Sequence, residues 1–156
     1  MVKNGENEYL AGEFESSLIS GHRITVPTKL RKILGKKLVL SKGYEGCLII
    51  VSQQKWEELV KPLTQKSFLD RNLRETLRFL VGSSHQISLD AQGRFVVPPV
   101  LREYAHLSFT DTKSDSAIFV GLVNWIEIWS KDQWTQQSQH LEQNADAIAQ
   151  ELITES

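Results

Sequence analysis

The sequence predicts an α+β, β-rich fold made twice over from one small module, and two observations predict it. The first is repetition. Sliding the chain by about 71 positions lays Ser17-Leu18-Ile19-Ser20-Gly21-His22-Arg23-Ile24-Thr25-Val26-Pro27 over Ser88-Leu89-Asp90-Ala91-Gln92-Gly93-Arg94-Phe95-Val96-Val97-Pro98, with Leu30-Arg31 over Leu101-Arg102. A shift of about 78 lays Leu48-Ile49-Ile50-Val51-Ser52 and Trp56 over Ile126-Glu127-Ile128-Trp129-Ser130 and Trp134. The second observation is the pattern inside each copy: a short alternating run, a turn, β-branched residues, then proline.

Each copy opens with strand, turn, strand, ending at Ile24-Thr25-Val26-Pro27 and at Phe95-Val96-Val97-Pro98. Proline cannot donate to a sheet ladder but is accommodated in the first turn of a helix, so residues 28–34 and 99–105 are expected to be short helices. Two further strands follow in each copy, near 38–41 and 47–51, then 117–121 and 125–129. Gly43-Tyr44-Glu45-Gly46 and Gly121-Leu122-Val123-Asn124 are expected to turn these hairpins, with residues that tolerate positive φ. The change of offset places extra residues of the second copy in a polar loop over 108–116. Ser52 and Ser130 are expected N-caps of closing helices that carry Trp56 and Trp134. Leu73, Leu77 and Leu80 fall on one face of a helix that links the copies. Leu141, Ala145, Ile148, Ala149 and Leu152 form another helical face in the tail, expected to pack on this chain or on a neighbour. The parts are a first module over 12–56, a helical connector over 57–82, a second module over 83–131 and a C-terminal helix over 132–156.

Composition bounds the function. At 156 residues with 40% hydrophobic content the chain can bury its own core, and its single cysteine, Cys47, sits in an apolar stretch as a buried strand residue. The N-terminal segment lacks the apolar core of a signal peptide, and no apolar run approaches the roughly 20 residues that span a bilayer, so a cytoplasmic protein without a membrane partner is expected. Net charge is −1, yet residues 16–102 hold 15 basic side chains against 6 acidic. A basic middle and an acidic tail result, a distribution that suits a polyanion at the middle as well as an ordinary solvated surface. His22, His85, His106 and His140 are scattered without metal-ligand spacing, Cys47 has no partner base, and no Gly-rich phosphate loop occurs. No enzyme, catalytic residue, metal site or cofactor is expected.

The stretch from Asp90 to Ala105 closely resembles the second signature of the MraZ family, and Gly43-Tyr44-Glu45-Gly46-Cys47-Leu48 and Asn124-Trp125-Ile126-Glu127-Ile128-Trp129 resemble further family segments. The likeness runs in the family's order from about residue 12 to about residue 134. It places the chain in the larger group typified by AbrB and SpoVT. The resemblance implies two AbrB-like modules closed within one subunit into a swapped-hairpin, double-psi-like β-barrel with short peripheral helices. It also implies assembly into a homo-oligomeric ring, and repression of the division and cell-wall gene cluster by binding short direct repeats in promoter DNA, in the cytoplasm at the nucleoid.

The signature has its own chemistry. The Asp90 carboxylate can accept backbone N–H groups across a tight turn, and Gly93 supplies a conformation that other residues adopt at a cost. Arg94 can fork onto a phosphate or onto the O6 and N7 edge of guanine, a contact worth roughly 1–3 kcal/mol of discrimination, and Gln92 can bridge an adenine edge. Alternatively, Asp90 and Arg94 simply pair with each other to clamp the turn. The first copy departs from the family pattern: Ile19, Gly21 and His22 stand where it has Asp, Lys and Gly, and only Arg23 remains. Gly21, one position early, offers another way round the turn. His22 can donate to a phosphate and gain charge at about pH 6, or stand as an exposed bystander. The DNA-binding set expected from sequence is therefore Arg23, Arg94, Gln92, His22 and Gly21, on turns built by Asp90 and Gly93. An antitoxin-like or scaffold role, with the same barrel holding a protein partner, is the competing expectation.

Overall fold

The computed structural model describes residues 8–109 and 116–154. The first copy contributes β1 (Leu10–Ile19), β2 (Arg23–Thr25), α1 (Thr28–Leu34), β3 (Lys37–Lys42), a 3-10 turn at Tyr44–Gly46, β4 (Leu48–Ser52) and α2 (Gln53–Thr64). After α3 (Arg71–Leu80), the second contributes β5 (His85–Ser88), β6 (Arg94–Val96), α4 (Pro99–Tyr104), β7 (Ser116–Val123), β8 (Ile126–Ser130) and α5 (Lys131–Thr154). The expected proline-started helices are α1 and α4. Ser52 and Ser130 do cap α2 and α5, accepting from the N–H groups of Lys55 and Gln133, each at 3.2 Å. Asp70 caps α3 through the Asn72 N–H at 2.8 Å. Most of the expected polar loop over 108–116 lies outside the described residues.

All eight strands form one antiparallel sheet in the order β5-β3-β4-β8-β7-β1-β2-β6. The Asp90 N–H reaches the Arg94 carbonyl at 2.9 Å, so the hairpin between β5 and β6 brings the two edges together and nearly closes a barrel. The copies interlock. β1 pairs with β7 and β3 with β5, each crossing between copies, as do β2 with β6 and β4 with β8. Ile24 pairs with Phe95, its own counterpart in the repeat, and Ile49 pairs with Glu127, likewise its counterpart. A pseudo-twofold axis therefore runs through both pairs.

Alternation sends one face of every strand inward. Ile24, Leu40, Leu48, Ile50, Phe119, Ile126 and Ile128 are fully buried, and Leu30 and Leu101 of the short helices join the same core. A smaller cluster of Cys47, Ile49, Ile118 and Trp129 lies outside the sheet, roofed by Trp56 and Trp134. The Trp134 indole donates to Glu13 at 2.7 Å and Lys131 pairs with Glu15 at 3.3 Å, fastening the start of α5 to β1. The rest of α5 buries nothing: Leu141, Ile148 and Leu152 are exposed, so within one chain the tail's apolar face is uncovered.

The turns differ from the sequence expectation in one respect. Gly46 does take a positive φ, but Gly43 and Gly121 do not; they are small because neighbours press on them, the Cys47 and Ile49 side chains on Gly43 and the Ala11 backbone on Gly121. The left-handed positions go to Glu45 (φ 63) and its counterpart Val123 (φ 69). Val123 centres a three-residue turn closed by the Asn124 N–H on the Leu122 carbonyl at 2.8 Å, a conformation costly for a β-branched residue. Local composition pointed to glycine, whereas the strand pairing decides which residue bends.

Candidate nucleic-acid interface

The second turn is built from its carboxylate. Asp90 Oδ1 accepts the backbone N–H groups of Gln92 and Arg94, both at 2.9 Å, while the Gly93 N–H closes onto the Asp90 carbonyl at 3.0 Å. Gly93 (φ 79) makes the reversal. Arg94 donates through Nε to Asp90 Oδ2 at 2.8 Å and through Nη2 to Gln92 Oε1 at 3.3 Å. The clamp read from sequence thus exists, yet it engages only part of a guanidinium with five N–H donors, and the Arg94 side chain stays 28% exposed. Turn clamp and outward presentation are the same structure: the carboxylate aims the cation.

The Arg94 backbone N–H is the largest influence holding the Asp90 carboxyl below its ordinary range; burial opposes it, and the Arg94 side chain and the Gln92 N–H add to it. A carboxylate with a lowered folded-state pKa contributes stability that is present above its unfolded value of about 3.9 and is lost as pH falls through the folded value. Asp90→Asn is therefore expected to lower the melting temperature at pH 7, with the gap from the parent closing as pH is taken from 5 towards 2. A gap that persists at the acid end, in thermal melts followed by circular dichroism, contradicts this assignment.

The first turn manages without the carboxylate. Gly21 (φ 79) and His22 (φ 60) both occupy the left-handed region, and His22 stands where Gly93 stands in the second copy. Arg23 Nε donates to the Ser20 carbonyl at 3.3 Å, a longer and uncharged substitute for the Asp90 contact. His22 is exposed, and its ring meets Phe109 edge to face at 5.5 Å. Its carbonyl accepts the Val97 N–H at 2.9 Å, just as the Gly93 carbonyl accepts that of Val26 at 2.9 Å. Each turn thereby holds the other copy's chain where it enters a helix.

These turns feed one two-stranded ribbon. β2 and β6 pair as Arg23↔Val96, Ile24↔Phe95 and Thr25↔Arg94. Ile24 and Phe95 are buried, so alternation puts Arg23, Thr25, Arg94 and Val96 together on the outer face. Arg23 and Arg94 are diagonal neighbours there, with Cα atoms roughly 7–8 Å apart. Gln92 joins Arg94 through its hydrogen bond, whereas Gly21 and His22 belong to the other end of the ribbon.

Sequence reasoning passed over Arg31. Its guanidinium lies on Gly93, where any Cβ would collide with it; Nη2 donates to Thr28 Oγ1 at 3.0 Å, and its buried Nε has no acceptor among the described residues. With Lys32 and Lys36 it lines an open cavity of about 510 Å³ whose other wall is Leu89, Asp90 and Ala91. The signal was available: Leu30-Arg31 recurs as Leu101-Arg102 in a basic run.

Among the described residues no three His, Cys, Asp or Glu side chains gather to hold a metal ion, and no helix is long and apolar enough to cross a membrane. Burial above all pushes the Cys47 thiol far up, and its Sγ donates to the Tyr44 carbonyl at 3.2 Å.

A protein-family model described as "MraZ protein, putative antitoxin-like" matches twice, at residues 10–79 and 80–155. Among curated proteins, the "Transcriptional regulator MraZ" of Syntrophomonas wolfei is 33% identical over 142 residues, covering 91% of this chain and 95% of the relative. That of Pediococcus pentosaceus is 34% identical over 142 residues, with the same coverages of 91% and 95%. That of Clostridium acetobutylicum is 35% identical over 125 residues, covering 80% and 84%.

Proposed function

The chain belongs to the MraZ family, and we propose that it is a sequence-specific DNA-binding transcriptional regulator, not an enzyme, whose β2–β6 ribbon enters the major groove. The carrying observation is the pair Arg23 and Arg94, side by side on the outer face of a two-stranded ribbon. The major groove admits such a ribbon, and guanidinium groups read guanine edges there while Gln92 is suited to adenine. The relatives' name, transcriptional regulator, supports the same reading. Working in the cytoplasm at the nucleoid, the protein represses the division and cell-wall gene cluster, including its own promoter.

Two arginines per barrel make a weak contact, because affinity rests mostly on phosphate neutralisation and falls with salt. A ring of identical subunits meets tandem copies of a short site, and the linked contacts reinforce one another through effective concentration. In a mobility-shift titration on the promoter upstream of its own gene, affinity is expected to drop roughly a hundredfold between 50 and 200 mM salt if about four phosphates are contacted. Cutting a tandem operator to a single copy is expected to cost at least tenfold at fixed salt. A salt-insensitive shift, or one equal on an unrelated duplex and on a single copy, points instead to a barrel that holds a protein partner. The replaced carboxylate of the first turn, Ile19 in the place of Asp90, is the observation on that side.

A further inference from the structure

The helices that follow the two turns carry matched arginines, Arg31 on α1 and Arg102 on α4, and the fold uses them differently. Strand crossing sets α1 against the second turn, through the Val26 N–H on the Gly93 carbonyl, and α4 against the first, through the Val97 N–H on the His22 carbonyl. Arg31 covers Gly93, which is buried although its neighbours Ala91 and Gln92 are exposed, and Thr28 Oγ1 holds its Nη2 at 3.0 Å. Arg102 turns away instead and donates through Nη1 to the Val97 carbonyl of its own copy at 3.0 Å. Two differences between the copies account for this. His22 stands at the place of Gly93, where a Cβ collides with the guanidinium, and Pro99 stands at the place of Thr28, without a hydroxyl.

Arg31 is under-used by the protein itself. Of its N–H groups, only that on Nη2 finds an acceptor among the described residues; Nε is buried without one, and no described carboxylate forms an ion pair with the group. Buried donors without acceptors are rare in folded chains. Asp90 lines the same open cavity of about 510 Å³, but its oxygens already accept from the Gln92 and Arg94 backbone and from Arg94 Nε. The exposed Lys32 and Lys36 line it too, so a cationic recess opens beside the turn that bears Arg94.

We propose that Arg31 is a phosphate-binding residue of the second turn, supplied by the other copy, and that the first turn has no equivalent because His22 fills the place Arg102 would need. The inference rests on the DNA-binding reading above and deepens it. The partner is a phosphodiester of the duplex backbone at the rim of the groove that the β2–β6 ribbon enters. A guanidinium offers it a forked pair of N–H groups, and Lys32 and Lys36 add point charges. Gly93 is then needed twice, for its positive φ and for the lack of a side chain beneath Arg31.

The test is a mobility-shift titration of the full-length protein on the promoter upstream of its own gene. Arg31→Gln is expected to make the salt slope shallower by about 0.9 and to lower the affinity at 100 mM salt by roughly five- to tenfold. Glutamine is close to arginine in helix propensity and the turn keeps its Asp90 hydrogen bonds, so the Tm is expected to move little. Arg102→Gln is expected to leave the slope unchanged. The reverse design opens the first turn: His22→Gly with Pro99→Thr is expected to have a slope steeper by about 0.9 than the same double variant carrying Arg102→Gln. Comparing those two cancels any contact made by His22 itself. An unchanged slope in Arg31→Gln, whatever its Tm, overturns Arg31 as a phosphate ligand, while salt-dependent binding that is lost on Arg94→Ala keeps the DNA-binding reading standing. Equal slopes in the two opened variants overturn the role given to His22. A parent protein that binds no promoter fragment in a salt-dependent way overturns the underlying reading, and this inference falls with it.

Discussion

Arg94→Ala is expected to weaken binding to the promoter fragment about 10- to 100-fold at fixed salt, and Arg23→Ala about 3- to 10-fold. The difference follows from how each guanidinium is held. Arg94 is aimed by a charged acceptor at 2.8 Å, with Gln92 on its other side, whereas Arg23 has a single 3.3 Å bond to a backbone carbonyl. A cation held in place loses less freedom on binding, so more of the 1–3 kcal/mol of a guanine contact is realised. Footprinting with each variant measures this directly. Equal losses show that both turns read DNA to the same extent, and an undiminished footprint from Arg94→Ala removes the ribbon from the interface altogether. Because Arg94 is on the surface of a strand whose neighbour Phe95 fills the core, both variants are expected to remain folded.

The second large effect is on stability. Phe119 is fully buried on β7, paired with Phe14 on one side and Ile128 on the other, in the middle of the main core. Phe119→Ala is expected to cost about 3–5 kcal/mol through lost burial and the cavity left behind. For a chain of this size that corresponds to roughly 6–20 °C in Tm. The same substitution at Phe14, which is only partly buried, is expected to cost less than half as much, by urea denaturation. A loss below about 1 kcal/mol at Phe119 shows that the barrel closes up around the gap.

Much of this architecture was legible from residue order, since the strand–turn–strand–proline pattern occurs twice and proline dictates where α1 and α4 begin. The caps Ser52 and Ser130 were legible for the same local reason. Less visible was what depends on pairing between distant segments. β1 runs for ten residues, eight of them paired with β7, while its counterpart β5 has four, a difference set by the partner strand and not by propensity. Gly121 looked like a turn residue and is instead the point where β7 presses on Ala11. At the candidate interface, Arg23 and Arg94 stood out because they recur at matching places in the two copies, and Gln92 because it lies in the second copy's turn. Arg31 was hidden in plain composition, because only the fold reveals that α1 of one copy lies on the glycine turn of the other.

The crossing of strands between copies has a temporal consequence. β1 can find β7 only after more than a hundred further residues have been made, and translation at about 5–20 residues per second delays that meeting by roughly 5–20 s. During synthesis the amino-terminal half hangs from the ribosome with strand edges unmatched, and it cannot mature as a unit before its sister arrives. Two polypeptides cut between α2 and α3 would face the same search in solution, now as a concentration-dependent encounter, and would be expected to find each other by the same seams.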